Sequence, residues 1–294
     1  MRKAVTGISS WLLFFVLNPV GKMIYYLNFG FIAEQAIAEV VKNYIDRLKL
    51  DEIYSNFHIS VTNIHPFAHM IIDSNARAND LFPSVVVTSQ TENKPSDLVN
   101  VPPQTYAIGW TSEDIDDILS LTKRTKTKLN ENGEFIEVVK NGEAVKENIP
   151  GLVCTVDDDS IAKLKEIADS RTSETETGNV YGIKVDTRRR DHISVEIWSE
   201  NNQLKNELFE HLRILFTSSL NMILREKFKI FDTNVFDNSV NGERSSNYNF
   251  DFDVILNGSH ITFEIDYTVS QIIFDTSVTN INEIVTEVKN HVKD

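Results

Sequence analysis

Between residues 31 and 50, Ile32, Ala36, Ile37, Val40, Val41, Tyr44, Ile45 and Leu48 recur at helical spacing, with Glu34, Glu39, Lys42 and Asp46 between them. One apolar stripe with charges opposite predicts an amphipathic helix. In "FHISVTNIHPF" the period changes to two: Ile59 and Val61 alternate with polar neighbours, which predicts a strand ended by Pro66. "LFPSVVVTSQTENKP" predicts a second strand around the apolar run Val85, Val86 and Val87, and "PSDLVNVPPQ" a proline-containing connection.

From 111 to 178 the pattern turns polar. "TSEDIDDIL" starts a helix at Thr111 or Ser112, with acids in the first turn where the helix dipole favours them. "NENGEFIEVVKNGEAVKENIPG" places Asn–Gly pairs on both sides of "EFIEVV". Both residue types tolerate positive φ, so a small hairpin is predicted. "DDDSIAKLKEIADSRTSETETG" predicts one short helix and a Ser/Thr/Glu-rich loop.

The strongest pattern lies between 180 and 275. "VYGIKVDTRRRDHISVEIWS" reads as two strands meeting near Arg188 to Asp191. In the second, Ile193, Val195 and Ile197 face one way and Ser194, Glu196 and Trp198 the other. A helix from about Asn202 to Lys229 carries Leu204, Leu208, Leu212, Leu215, Phe216, Ile223 and Leu224 on one face. Then come "IFDTNVFDNSV", "YNFDFDVIL" and "SHITFEIDYTVSQIIF"; the last two read as an antiparallel hairpin turning at "NGS", residues 257 to 259. "TNINEIVTEVKNHVKD" reads as a closing helix or arm.

These elements predict an α/β (α+β) chain: a mixed, mainly antiparallel sheet flanked by helices, with an inserted polar lobe carrying a small hairpin. Residues 23–110 and 179–278 form the main domain, 111–178 the lobe, 1–22 an apolar arm or extension, and 279–294 a helix or arm. "MRK" before "WLLFFVL" has the layout of a secretory signal, but "NPVGK" is a poor cleavage site. Neither that run nor "MIYYLNFGFI" reaches the ~20 residues of a membrane span. The open readings are a signal or anchor, an arm that packs on a neighbour, or an upstream extension with Met23 as the natural start.

Charge narrows the function. The 294 residues carry 43 acidic against 29 basic side chains, a net of -14. Most of such a surface repels the phosphate backbone, which disfavours general DNA binding but suits a surface that DNA must pass without sticking. The single Cys154, in "GLVCTV", reads as a core thiol. Signatures for phosphate loops, dinucleotide folds, zinc proteases, serine hydrolases and EF-hands are missing from the sequence.

Three constellations remain. "HPFAH" spaces His65 and His69 four apart, near His58 and Asp73, but Pro66 fits only the first turn of a helix, so loop histidines are favoured over a metal site. Asp251, Asp253, Glu264 and Asp266 lie on neighbouring strands, as in Mg²⁺-dependent nucleases. Such sites often add a lysine two residues after the second acid, where this chain has Asp266, so the alternation of a solvated sheet face is favoured, with Phe250, Phe252, Val254, Phe263, Ile265 and Tyr267 on the other side. Finally, Arg188, Arg189 and Arg190 point in different directions and are not one phosphate clamp. Arginine's planar fork suits pairing with carboxylates of a neighbouring subunit, so these three and Trp198 are candidate subunit contacts. His192 has no identifiable partner acid or nucleophile. No catalytic, metal or cofactor-binding residue is assigned.

The charged run, the strand ending in "EIWSEN", the helix "NQLKNELFEHLRILFTSSLNMILREKF" and the closing hairpin together resemble tail terminator and neck proteins of contractile-tailed bacteriophages. "LFPSVVVTS" after an N-terminal helix fits the same likeness, while residues 111 to 178 have no counterpart. The resemblance implies a sheet flanked by helices, assembled as a hexameric ring without an active site, cofactor or membrane. Such a ring caps the tail tube and joins tail to head, touching tube, sheath and neck or connector proteins. DNA passes its lumen without specific binding. The alternatives are another tail or baseplate subunit, or a divergent metal-dependent nuclease using Asp253, Glu264 and Asp266.

Overall fold

The structure, a computed structural model, describes residues 24–48, 58–64, 82–92, 103–130, 134–155, 158–172, 179–229, 233–235, 240–249 and 255–278. The apolar stretch 1–22, His65, His69, Asp73, Asp251, Asp253, the Asn132–Gly133 pair and the closing segment 279–294 lie outside them.

The chain is an α+β fold built on two long antiparallel strands, β12 (Val180–Ser199) and β15 (Ile255–Asp275). They pair without a break from Gly182 opposite Phe274 to Ser199 opposite Asn257. At about 3.3 Å per residue the 20 residues of β12 span roughly 66 Å. Shorter strands line both outer edges. Along β15 lie β1 (Ile24–Phe31), β13 (Asn234–Val235) and β14 (Asn241–Asn249), all antiparallel. Along β12 lie β3 (Ser84–Glu92) and β4 (Gln104–Trp110), also antiparallel. β2 (Ser60–Thr62) adds to β3 in parallel, and β11 (Leu152–Thr155) adds to β1 antiparallel. The sheet is thus mixed and mainly antiparallel, in the order β11-β1-β15-β12-β3-β2.

Alternation decides which face is covered. Asp191, Ile193, Val195 and Ile197 of β12 are buried beside Ile261, Phe263, Ile265 and Tyr267 of β15. Helix α1 (Ala33–Ile45) lays Ala36, Ile37, Val40 and Val41 toward β3, and Glu34 accepts a hydrogen bond from the Ser89 hydroxyl at 3.2 Å. Helices α4 (Asn202–Ile214) and α5 (Leu220–Lys227) bury Leu204, Leu208, Leu212, Leu220 and Leu224, α4 against β12 and β15. The Asn201 side chain caps α4 by accepting from the backbone N–H groups of Gln203 and Leu204.

The helix expected as one piece from Asn202 to Lys229 carries a π turn at Leu215–Ser219. There the hydroxyls of Thr217 and Ser218 donate back to the carbonyls of Arg213 and Ile214, offering the backbone an alternative to the α-helical ladder. Leu215 and Phe216 stay buried across the turn, so the apolar face continues.

One stretch left without an element gains one, and two expectations are corrected. "MIYYLNFGFI" supplies β1, with Tyr25, Leu27, Phe29 and Phe31 buried. Arg188 to Asp191 do not divide two strands, because β15 pairs straight through them. Asn257 to Ser259 are not a turn either: they lie inside β15 opposite Ser199 to Ile197, where Gly258 offers no side chain to crowd Trp198. Long-range pairing overrides the local turn preference.

The stretch 111–178 does carry small hairpins. Helix α2 (Ser112–Ser120) starts at a capping box between Thr111 and Asp114. After it β5 (Lys123–Thr125) pairs with β10 (Lys146–Asn148), β6 (Thr127–Leu129) with β7 (Phe135–Glu137), and β8 (Val139–Lys140) with β9 (Glu143–Ala144). Asn141 and Gly142, with φ of 56° and 85°, make the β8–β9 turn that the Asn–Gly pair predicts. The same stretch also enters the main body through β11 and helix α3 (Asp158–Thr172). Ile115, Ile149, Ile161, Leu164 and Ala168 belong to the common core.

Two strand glycines test the spine. A Cβ on Gly182 would collide with the carbonyl oxygen of Ile273 and the ring of Phe274, whereas one on Gly30 would meet Val153 at an ordinary 3.5 Å. Gly182→Ala is expected to lower unfolding free energy by about 1–3 kcal/mol. Gly30→Ala should leave it level or raise it by about 0.5–1 kcal/mol. Urea unfolding followed by tryptophan fluorescence checks both.

Candidate functional site

The charged run of β12 meets its partners on β15. Arg190 stands opposite Asp266 and His192 opposite Glu264, so each pair shares one sheet face. The Arg190 guanidinium grips Asp266 with both prongs: Nε lies 2.8 Å from Oδ1, and Nη2 donates to Oδ2 at 3.2 Å. Their side chains are only 12% and 3% exposed. Glu264 extends the seam, 3.7 Å from Arg190 Nε and 3.4 Å from His192 Nδ1. Arg188 Nε reaches Asp266 only at 4.0 Å.

On the opposite face the Tyr267 hydroxyl donates to Asp191 Oδ2 at 3.1 Å, both residues being buried. Burial, then the Asp191 charge and hydrogen bond, push the Tyr267 phenol far above its ordinary value; the Arg189 charge works weakly against them. The Tyr267 ring meets Phe31 edge-on at 4.8 Å, and Phe31 meets Phe228 at 4.9 Å. Asp191 Oδ1 has no hydrogen-bond partner among the described residues.

The four candidate contact residues therefore divide. Arg190 is taken up inside the chain by Asp266. Trp198 is 6% exposed, and its indole N–H donates to Glu196 at 2.9 Å. Arg188, with 43% of its side chain exposed, and Arg189 remain at the surface. Asp266 is not part of a solvated sheet face: it is buried, against the simple alternation. Nor is it open for a metal, since both oxygens face arginine. Among the described residues no three His, Cys, Asp or Glu gather to hold a metal ion. His192 has the acid partner Glu264 that sequence reasoning missed. Cys154 is half-buried at the edge of the core rather than inside it. Burial raises its thiol above the ordinary value, with Lys123 opposing.

A second charged cluster had no local signal. Arg124 of β5 bridges Glu39 of α1 and Glu147 of β10, each at 2.8 Å, and so clasps the hairpins to the main body. Lys126 stands 3.8 Å from Glu147. Burial alone would raise the Glu39 carboxyl. Hydrogen bonds from Arg124 and Asn43, with the charges of Arg124 and Lys227, outweigh it and hold Glu39 below its ordinary value. Lys227 is lowered, chiefly by burial.

No protein-family model matches the chain, and no curated protein matches it.

Asp266→Ala removes the carboxylate that both prongs of the largely buried Arg190 grip and is expected to cost about 3–5 kcal/mol, while Arg190→Met combined with Asp266→Leu recovers most of the loss. Chemical denaturation of the wild type and the two variants reads this directly. The clasp gives a pH signature. A carboxyl held below its ordinary value stabilises the fold above its unfolded pKa and loses that contribution as pH falls through the folded value. Below pH 4.5, the ordinary value for Glu39, the wild type should lose stability that Glu39→Gln does not. Unfolding midpoints measured between about pH 3 and 6 would show parallel acid limbs if the clasp is unimportant.

Proposed function

We propose that the chain is a structural virion subunit that forms a ring, hexameric by the resemblance, at the tail or neck of a contractile-tailed bacteriophage. The observation that carries the reading is a set of large apolar side chains facing solvent on separate elements. Tyr106 on β4 is 45% exposed, Ile136 and Val139 on the hairpins 40% and 58%, Val153 on β11 37%, and Ile214 and Met222 on the α4–α5 helix 55% and 66%. Each of these side chains is apolar area that a neighbouring subunit can cover. The α+β architecture agrees with what the resemblance implies.

In this reading the subunit sits in the virion, having assembled in the host cytoplasm, and touches tail tube, sheath and neck or connector proteins. The net charge of -14 suits a lumen that DNA slides through without arrest. Among the described residues no helix is long and apolar enough to cross a membrane.

Native mass spectrometry of the purified chain, alone and with tail tubes, is expected to find a closed oligomer of six copies. A stable monomer at micromolar concentration that does not assemble on tubes contradicts the reading.

A further inference from the structure

The hairpins between α2 and β11 are set apart from the rest of the molecule. β5–β10, β6–β7 and β8–β9 form three two-stranded sheets, none of them joined to the large sheet among the described residues. Thr122 and Ile149, both buried, mark the stem, where the Ile149 N–H donates to the Thr122 carbonyl at 3.2 Å. Between these two no described residue is buried. By Gly151 the chain is back on the body, its carbonyl accepting from the Ile32 N–H at 2.7 Å. The hairpins hold one another instead. The N–H groups of Lys126, Val138 and Val145 donate to the carbonyls of Val145, Lys126 and Val138 at 2.8, 2.9 and 2.8 Å. Two-stranded hairpins with little to bury are marginal on their own.

Beyond the stem, Arg124 ties the hairpins to α1 through Glu39. Breaking that bond strands neither partner. On the body, Glu39 keeps the hydrogen bond from the Asn43 side chain at 3.0 Å and the nearby charge of Lys227. On the hairpins, Arg124 keeps Glu147, which its Nε and Nη2 each reach at 2.8 Å. Separating an ion pair is costly when a buried charge is left without a partner, and here each charge retains one. Water also reaches both groups. The side chains of Arg124 and Glu39 are 31% and 18% exposed, against 12% and 3% for Arg190 and Asp266 on the spine.

We propose that the bond between Arg124 and Glu39 is a latch: when it breaks, the hairpins of β5 to β10 come away from α1 as one unit while β12 and β15 stay paired. Segments with few buried contacts open in this way at a free energy below that of global unfolding. The opening lets the exposed Ile136 and Val139 move relative to the spine. The latch belongs to the single subunit and works whether or not copies assemble.

Native-state hydrogen exchange on the full chain, read amide by amide, tests the latch. In the wild type, Lys126, Val138 and Val145 should share one opening constant, about a hundredfold or more larger than that of Ile193 and Val195 in β12. Low urea should leave the hairpin constant level while the β12 amides speed up, because the opening exposes little surface. Glu39→Gln should raise exchange at the three hairpin amides about threefold to tenfold. Gly182→Ala, which loosens the spine and not the latch, should speed the β12 amides and leave the hairpin amides unchanged. Hairpin amides that follow those of β12 in urea or in Gly182→Ala overturn the proposal, because the hairpins then open only with the whole fold. Hairpin amides that exchange early but ignore Glu39→Gln also overturn it, because the bond to Arg124 then takes no part in the opening.

Discussion

The ladder between β12 and β15 is the constraint on which the rest of the molecule depends. Every other strand of the large sheet attaches, directly or through one neighbour, to one of these two. Helix α4 packs on both of them. Because side chains alternate with a period of two, a slip of one residue would turn Ile193, Val195 and Ile197 out of the core and bring Arg190 and His192 in. The register therefore fixes which face is apolar, where the helices dock, and which charges meet.

The buried Arg190–Asp266 pair marks that register. A paired charge inside a protein is weak evidence for stability, since desolvation offsets most of the attraction, yet an unpaired one is costly. The correct alignment satisfies Asp266 with both prongs of Arg190, and a slipped one would strand the carboxylate. The same pairing explains how a run of three arginines continues a strand instead of ending it. Its members alternate between faces. One is neutralised by Asp266, one lies over the Tyr267 side, and Arg188 keeps to the surface.

What the sequence made legible was local. The amphipathic stripe of Ala33–Ile45, the alternation of Ile193, Val195 and Ile197, the Thr111 cap and the Asn141–Gly142 turn each rest on neighbours a few residues away. What it hid was long-range. The strand Ile24–Phe31 alternates in burial, but apolar Ile24 and Tyr26 on its less buried face erase the contrast. Asp266 reads as a solvated acid until its partner, 76 residues away, is placed beside it. Glu39 and Arg124 carry no mutual signal in sequence, yet they hold the hairpins to the first helix. At the candidate site, sequence picked out the arginine run but could not say that Arg190 and Trp198 are satisfied within the chain while Arg188 and Arg189 stay outside.

The chain joins a continuous internal ladder to apolar side chains left exposed on several elements. A cryo-electron microscopy map of the purified assembly tests that account most directly. It should show a closed ring in which β12 runs unbroken through Arg188 to Asp191 in each subunit, with Arg190 on its own Asp266 and the exposed apolar side chains covered by neighbours. A monomer, or a ring in which the strand breaks at the arginine run and Arg190 crosses to another subunit, would contradict it.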